Sequence, residues 1–346
     1  MGGQYGTEDS RAVHPSVEGG LMRAVVRDRY GDADVLRQER INRPAVRDDE
    51  VLVRVHAAGL DRGTWHMMTG RPYLMRLFTG LRRPRNPVAG LDLAGTVAAV
   101  GAAVTRFRVG EEVFGFGSGS FAEYTTARED KLALKPPGLS FEEAAVVPVS
   151  AVTALQGLRD AGRVRAGQKV LITGASGGVG SYAVQLAKAF GADVTGVCST
   201  SKLDLVRSLG ADHTIDYSRD DFADGSRHYD LILDFAGNPS LSLLRKALSA
   251  TGTAVVGGGE HGGRLTGMGR QMRGMALSPF ISQRLTMVAA KQRAADLELL
   301  TELIGAGKVR PCLERTFPLD QARDAMRHLE AGKARGKLAI TVRRPQ

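Results

Sequence analysis

The residues whose types and spacing speak most directly of chemistry are Gly174-Ala175-Ser176-Gly177-Gly178-Val179-Gly180. They follow the strand-like run Lys169-Val170-Leu171-Ile172-Thr173 and open a helical pattern in which Val179, Ala183, Leu186 and Phe190 share one face. A strand that turns into a helix through glycine points unpaired backbone N–H groups and the positive end of the helix dipole at one place, which suits a pyrophosphate. In the G-x-G-x-x-G/A pattern the first position makes the tight turn. The second lets the backbone approach the phosphates, and the third lets the helix pack on the strand. Here Ala175 takes the first place, and Gly177 and Gly180 take the other two. The expected cradle for a dinucleotide therefore runs from Ala175 through Ser176, Gly177, Gly178 and Val179 to Gly180.

The residues after the next strand bear on which dinucleotide. A site for NAD usually places Asp or Glu about 20 residues on, to accept from the ribose 2′-OH. This chain has Cys198-Ser199-Thr200-Ser201-Lys202 there. No carboxylate repels a 2′-phosphate, and Ser199, Ser201 and Lys202 offer hydroxyls and a cation to bind one. The expected cofactor is NADP(H). Ser201-Lys202-Leu203-Asp204 also fits a helix capping box, and the two roles are compatible because the cap lies beside the ribose.

The elements needed to hold these residues follow from periodicity. Strand 169–173, helix 178–190, strand 192–198, a helix ending at Gly210, strand 229–235, a helix from Asn238-Pro239 to about Ala250 and strand 253–259 alternate along the chain. That order predicts a parallel, doubly wound sheet. Before it, from Met22, short β-rich runs at 22–27, 50–57, 95–101, 112–116 and 121–127 are separated by Gly, Pro and Asp. Residues 60–90, rich in Arg, Met and aromatics, read as a substrate-facing loop. Ser140 caps a helix over 140–157, with Glu142 and Glu143 in its first turn and an interruption at Pro148. Beyond the Gly- and Met-rich stretch 258–288, helices are expected near 294–305 and 319–331, and a last strand at 337–342. Met268, Met272 and Met275 lie at i, i+4, i+7 with Arg264, Arg270 and Arg273 nearby. They predict an apolar stripe facing the core or a dimer partner, or an adaptable wall for a bulky substrate.

Composition narrows the class. With 43% hydrophobic and 24% charged residues, the 346-residue chain suits two globular domains. Its formal charge of +10 is scattered, without a Lys/Arg tract interleaved with aromatics, so no nucleic-acid partner is expected. A basic surface does steer anionic ligands. Cys198 and Cys312 are too few for a disulfide framework or a cysteine-built zinc site. No apolar stretch approaches the ~20 residues of a membrane span, and residues 1–21 read as a flexible tail without a signal-peptide core. A cytoplasmic enzyme of small molecules is expected.

Several blocks in order then carry a family resemblance: AAVVPVSAVTALQGL (144–158), ASGGVG (175–180), SLGADHTIDY (208–217), DFAG (234–237) and RGKLAI (335–340). Residues 22–342 resemble the medium-chain dehydrogenase/reductases, in their quinone oxidoreductase (zeta-crystallin-like) branch. The resemblance implies an α/β protein with a Rossmann doubly wound sheet (148–287) inserted in a GroES-like, mostly β catalytic domain (22–147 and 288–346). It implies a homodimer, with 286–290 as a candidate edge strand. It also implies that Thr153 approaches the nicotinamide and Tyr217 the adenosine end. Asp234 and Gly257 would end strands facing the cofactor, and Arg335 and Lys337 would close over it.

Zinc-using members carry a Cys after the second strand and a Gly-His-Glu later. The corresponding segments here are Gly59-Leu60-Asp61 and Gly90-Leu91-Asp92, so Asp61 replaces the cysteine and Leu91 the histidine. A third ligand position near Pro148-Val149 carries no ligand, and the four-cysteine lobe is missing. Tetrahedral zinc needs N or S donors, so no metal is expected. Without a Lewis acid nothing obvious stabilises an alkoxide, whereas a quinone or α,β-unsaturated carbonyl delocalises the charge itself. The expected activity is NADPH-dependent hydride transfer to such an electrophilic small molecule. A zinc-free alcohol or ketone reductase and a non-catalytic NADPH-binding redox sensor are the alternatives. Asp61, His66 and Tyr73 are candidate proton donors. Asp61 equally suits a turn cap and His66 packing beside Trp65, and solvent is also able to supply the proton.

Overall fold

A computed structural model describes residues 20–257, 267–332 and 334–343. Nearly all of the expected tail, and Arg264 with the rest of 258–266, lie outside the described residues.

Strand Lys169–Thr173 has Val170, Leu171 and Ile172 all fully buried, as expected of a parallel strand covered on both faces. It sits inside a six-stranded, wholly parallel sheet. Asp193–Cys198 and then His213–Asp216 lie on one side of it; Tyr229–Asp234, Leu248–Val256 and Arg284–Thr286 lie on the other. The chain runs outward in one direction and returns to build the other. The strand order therefore reverses between Lys169–Thr173 and Tyr229–Asp234, and such a switch point opens a crevice at the carboxyl ends of the strands.

The second sheet has seven strands. Leu313–Pro318, Lys337–Thr341, Glu50–Leu60, Asp92–Val100, Glu112–Phe116 and Leu132–Leu134 follow one another, and Tyr124–Arg128 also pairs with Glu50–Leu60. The last strands of the chain thus rejoin a sheet begun by its first third. Leu21–Val26 and Arg37–Asn42 form a separate antiparallel pair.

One helix joins the two sheets. Ser140 and Glu143 cap Phe141–Ala145 reciprocally, and Pro148 then opens Pro148–Gln156 at its first turn, where a missing N–H costs nothing. Ala151, Val152, Ala154 and Leu155 pack between Phe114 and Phe116 of the seven-stranded sheet and Val170 and Ile172 of the parallel one.

Three expectations change. Residues 60–90 are not a plain loop: Asp61 caps helix Arg62–Thr69, Gly70 ends it at φ +60°, and Arg76–Thr79 is a further helical turn. Helix Gly269–Leu277 does not turn its methionines to the core. Met272 and Met275 are 59% and 48% exposed, while Gln271 and Gly274 are buried. Gly274 packs on Leu241 and Leu285, so the face turned inward is that of Gln271 and Gly274. Finally, Ser201 caps nothing. A short turn, Thr200–Lys202, precedes helix Leu203–Ser208, which begins after Lys202 without a side-chain cap. Among the described residues no helix is long and apolar enough to cross a membrane.

Candidate cofactor and active site

A cleft of 650 Å³ lies at the switch point. Its floor is the glycine turn. Gly174 adopts φ +68°, where a Cβ would come 3.1 Å from Ala236 N, so the tight turn is made here and not at Ala175. Ala175 is instead fully buried and donates its N–H to Val197 O at 3.1 Å. At Gly180 a Cβ would meet Gly174 O at 2.1 Å, so only glycine lets the helix seat on the turn. At Gly177 a Cβ would meet nothing but Gly174 O, at 3.2 Å, which leaves that backbone open to a ligand. Gly177 stands before helix Gly178–Ala189 with no side-chain cap, so the first helical N–H groups are left for an anion. Ser176, Gly177, Gly178, Val179 and Gly180 all line the cleft. These residues fit a dinucleotide pyrophosphate.

Toward Asp193–Cys198 the cleft is bounded by Ser199, Lys202 and Tyr217. Lys202 Nζ donates to Ala334 O at 2.8 Å, which holds its head at the cleft wall. Tyr217 is 64% exposed, so it is not a packed strand-end aromatic. Ser201 is exposed and does not line the cleft. The carboxylate on the neighbouring strand end, Asp216, accepts from Thr200 Oγ1, from Ser218 N at 3.1 Å and from Ser218 Oγ at 2.7 Å. These hydrogen bonds, first that from Thr200, hold its carboxyl below the usual range and turn it to its own loop. Burial, with Asp216 nearby, pushes the Cys198 thiol up to about 11, so it is no ready nucleophile.

The cleft is also lined by Thr153, Phe235, Asn238, Pro239 and Gly257, and by Arg62 and His66 of helix Arg62–Thr69. Thr153 Oγ1 donates to Val149 O at 2.7 Å. Asp234 does not line the cleft; it is fully buried beneath it, accepting from Thr173 Oγ1 at 2.5 Å and Gly237 N at 3.1 Å and pairing with Arg270. Its part is to hold the turn that carries Phe235 and Asn238. Of the C-terminal segment, Gly336 lines the cleft and donates its N–H to Ser176 O at 3.0 Å. Arg335 and Lys337 flank Gly336 and do not line the cleft.

The three candidate proton donors separate. Asp61 is buried outside the cleft, capping Thr64 N at 2.8 Å. Tyr73 also lies outside it, with the Arg76 guanidinium over its ring. His66 lines the cleft, and its Nδ1 donates to Arg71 O at 2.7 Å, since a carbonyl only accepts. Sequence reasoning missed Arg62, Phe235 and Asn238, and of the span from Arg335 to Lys337 it named the two residues that flank the one lining the cleft. For Arg62 a signal existed: it is four residues before His66, the spacing that puts two side chains on one helix face.

Comparison with known proteins agrees with this geometry. The "Alcohol dehydrogenase GroES-like domain" family matches residues 47–137, and the "Zinc-binding dehydrogenase" family matches 209–340. The 2-methylene-furan-3-one reductase of Solanum lycopersicum is 35% identical over 90% of this chain and 76% of its own length. The chloroplastic NADPH-dependent alkenal/one oxidoreductase of Arabidopsis thaliana is 33% identical over 96% of this chain and 83% of its own. The chain belongs to the medium-chain dehydrogenase/reductases. Within them it falls in the quinone oxidoreductase branch, and it is an oxidoreductase with a nicotinamide-dinucleotide site. The quinone oxidoreductase structure from Coxiella burnetii superposes with a TM-score of 0.82 at 28% identity, over 94% of this chain and all of that one.

In medium-chain dehydrogenase/reductases that use zinc, the ligand positions correspond here to Asp61, Leu91 and the stretch at Val149. The fold brings two of these together around Asp92: its carboxylate accepts from Val149 N at 3.1 and 3.2 Å, and the Asp61 carboxyl lies close enough to act on its charge. Burial first, then the Asp61 charge, raises the Asp92 carboxyl well above its usual range. Among the described residues no group of three His, Cys, Asp or Glu side chains is placed to hold a metal.

Proposed function

We propose that this protein is an NADPH-dependent reductase of quinones or α,β-unsaturated carbonyls that works without zinc. The observation that carries the reading is the pairing of a glycine turn open to a pyrophosphate with Asp61, Leu91 and Val149 at the positions corresponding to zinc ligands, where no side chain carries a nitrogen or sulfur donor. When bound, the nicotinamide supplies the hydride. The chain's own residues orient and enclose it. Backbone N–H groups from Gly178 to Gly180 take the pyrophosphate, Ser199 and Lys202 take the 2′-phosphate, and Tyr217 covers the adenosine. Thr153, Phe235 and Gly257 bound the nicotinamide, and Ser176 and Gly336 close the C-terminal segment over the turn. Arg62 and His66 face the acceptor, where the guanidinium stabilises the negative oxygen that develops as hydride arrives.

An acceptor that spreads this charge over a conjugated system needs no Lewis acid, whereas a simple ketone concentrates it on one oxygen. The tomato and Arabidopsis relatives are named for a methylene-furanone and for alkenals and alkenones, both conjugated. The enzyme works as a homodimer and resides in the cytoplasm; the edge strand expected at 286–290 is instead the short strand Arg284–Thr286, at one of the two edges of the parallel sheet, and the dimer joins there.

The test is loss of reduced-cofactor absorbance by metal-stripped protein with a quinone, an enone and a saturated ketone, each with NADPH and NADH. Turnover of the conjugated acceptors with NADPH supports the proposal. Turnover restricted to the ketone, dependence on added zinc, or preference for NADH refutes it.

A further inference from the structure

Lys337 is the buried cation for which the cofactor site has no use. Its side chain is only 1% exposed, yet it comes from the strand next to the cleft. An ammonium is kept out of water only where opposite charge and hydrogen bonds replace its hydration. Its Nζ donates to Ser150 Oγ at 2.9 Å and lies 4.0 Å from Asp61 Oδ2. Among the described residues that same Asp61 oxygen is buried without a hydrogen-bond partner, and Asp92 is fully buried. The Lys337 ammonium is the charge that faces the buried Asp61 carboxylate, and Ser150 takes one of its hydrogen bonds.

The cluster reaches three parts of the cleft: helix Arg62–Thr69, Thr153 and the glycine turn. Asp61 caps the helix that carries Arg62 and His66. Asp92 holds Val149 N, and Val149 O in turn holds the Thr153 hydroxyl. Lys337 Cδ packs so close to Gly178 that a Cβ there would lie 3.0 Å from it, and the adjoining Gly336 is bonded to Ser176. We infer that Lys337 is a positioning residue, the resident cation of the site formed by Asp61, Asp92 and Ser150, and that its ammonium fixes the helix 62–69, Thr153 and the glycine turn relative to one another as a metal ion would. A fixed internal charge does this without any ligand to lose. The inference rests on the proposed function only for what the walls receive, since the charge balance is a property of the chain itself.

The experiment is a double-mutant cycle of Lys337→Met and Asp61→Asn in the full chain, read by unfolding midpoint, NADPH binding and turnover. Lys337→Met strands the Asp61 carboxylate. It is expected to lower the midpoint and to cut kcat about tenfold or more, while the NADPH Kd, set mainly at the pyrophosphate and 2′-phosphate, stays within about threefold. Adding Asp61→Asn removes the stranded charge and restores part of both losses. Should Lys337→Met alone be insoluble, the double variant is expected to be soluble and to bind NADPH. Strictly additive effects, a Lys337→Met protein like the wild type, or a double variant no better than the single overturns the inference. The unfolding cycle needs no substrate, so it stands apart from a failure to find an acceptor.

Discussion

Arg270 and Asp234 form an ion pair beneath the cleft, with Nη1 2.5 Å from Oδ2 and the carboxylate fully buried. The pair joins helix Gly269–Leu277 to the end of strand Tyr229–Asp234, and the same guanidinium donates to Pro239 O at 2.7 Å. Removing one partner of a buried pair leaves the other charge uncompensated, at ~3–5 kcal/mol. Arg270→Met should therefore destabilise the protein by about 3 kcal/mol in chemical denaturation. Asp234→Asn should cost less, because its amide oxygen still accepts from Thr173. A loss below about 1 kcal/mol for Arg270→Met would show the pair to be dispensable.

Lys202 tests cofactor choice. Its Nζ is the cation at the end of the cleft where a 2′-phosphate belongs. Lys202→Ala is expected to raise KM for NADPH about tenfold and to leave NADH kinetics nearly unchanged, since only one cofactor carries that phosphate. Equal losses with both cofactors would mean that Lys202 acts only through its bond to Ala334.

The two glycines of the cradle should separate fold from binding. Gly180→Ala forces a methyl to 2.1 Å from Gly174 O, so it should lower both the unfolding midpoint and NADPH affinity. Gly177→Ala meets only Gly174 O, at 3.2 Å, in an extended backbone that alanine tolerates. It should weaken NADPH binding, by obstructing the phosphates, with little change in the midpoint. Calorimetry of both variants with and without NADPH checks this.

Asp92 gives stability a pH dependence of definite sign. Burial and Asp61 raise its carboxyl in the folded state above its unfolded value. The folded protein therefore holds a proton that the unfolded chain releases. The contribution is complete below the unfolded pKa of about 4 and is lost as pH rises through the folded one. Asp92→Asn puts an always-neutral amide in place of the carboxyl and should flatten this fall. Unfolding midpoints of the two proteins, compared between about pH 4 and 8, should drop more steeply toward neutrality in the wild type than in the variant. Parallel curves would contradict the assignment.

The glycine turn, the absence of a carboxylate after Cys198 and the departures at Asp61 and Leu91 were all readable in one dimension. Each depends on residue type and near spacing, because a turn, a helix start and a strand end are local. The β-α-β alternation was legible for the same reason: fully buried parallel strands such as Lys169–Thr173 are apolar throughout. Helix 62–69 was harder to read, since only Thr64, Met68 and Thr69 of it are buried and its start depends on the Asp61 cap.

The methionine stripe shows the limit of periodicity. Spacing places Met272 and Met275 on one helix face, but the face that packs on Leu241 and Leu285 is that of Gln271 and Gly274, which periodicity alone does not choose. Arg335 and Lys337 show it again: both adjoin the cleft in sequence, and only Gly336 between them reaches it. Residue identity was enough for the dinucleotide turn and for the substitutions at the zinc-ligand positions, because those rest on which atoms the residues carry. The meeting of Asp61, Asp92, Ser150 and Lys337 needed the packed fold. They come from segments far apart in the chain, and only the packing of helix Pro148–Gln156 between two sheets buries them together, with the Lys337 ammonium facing the Asp61 carboxylate.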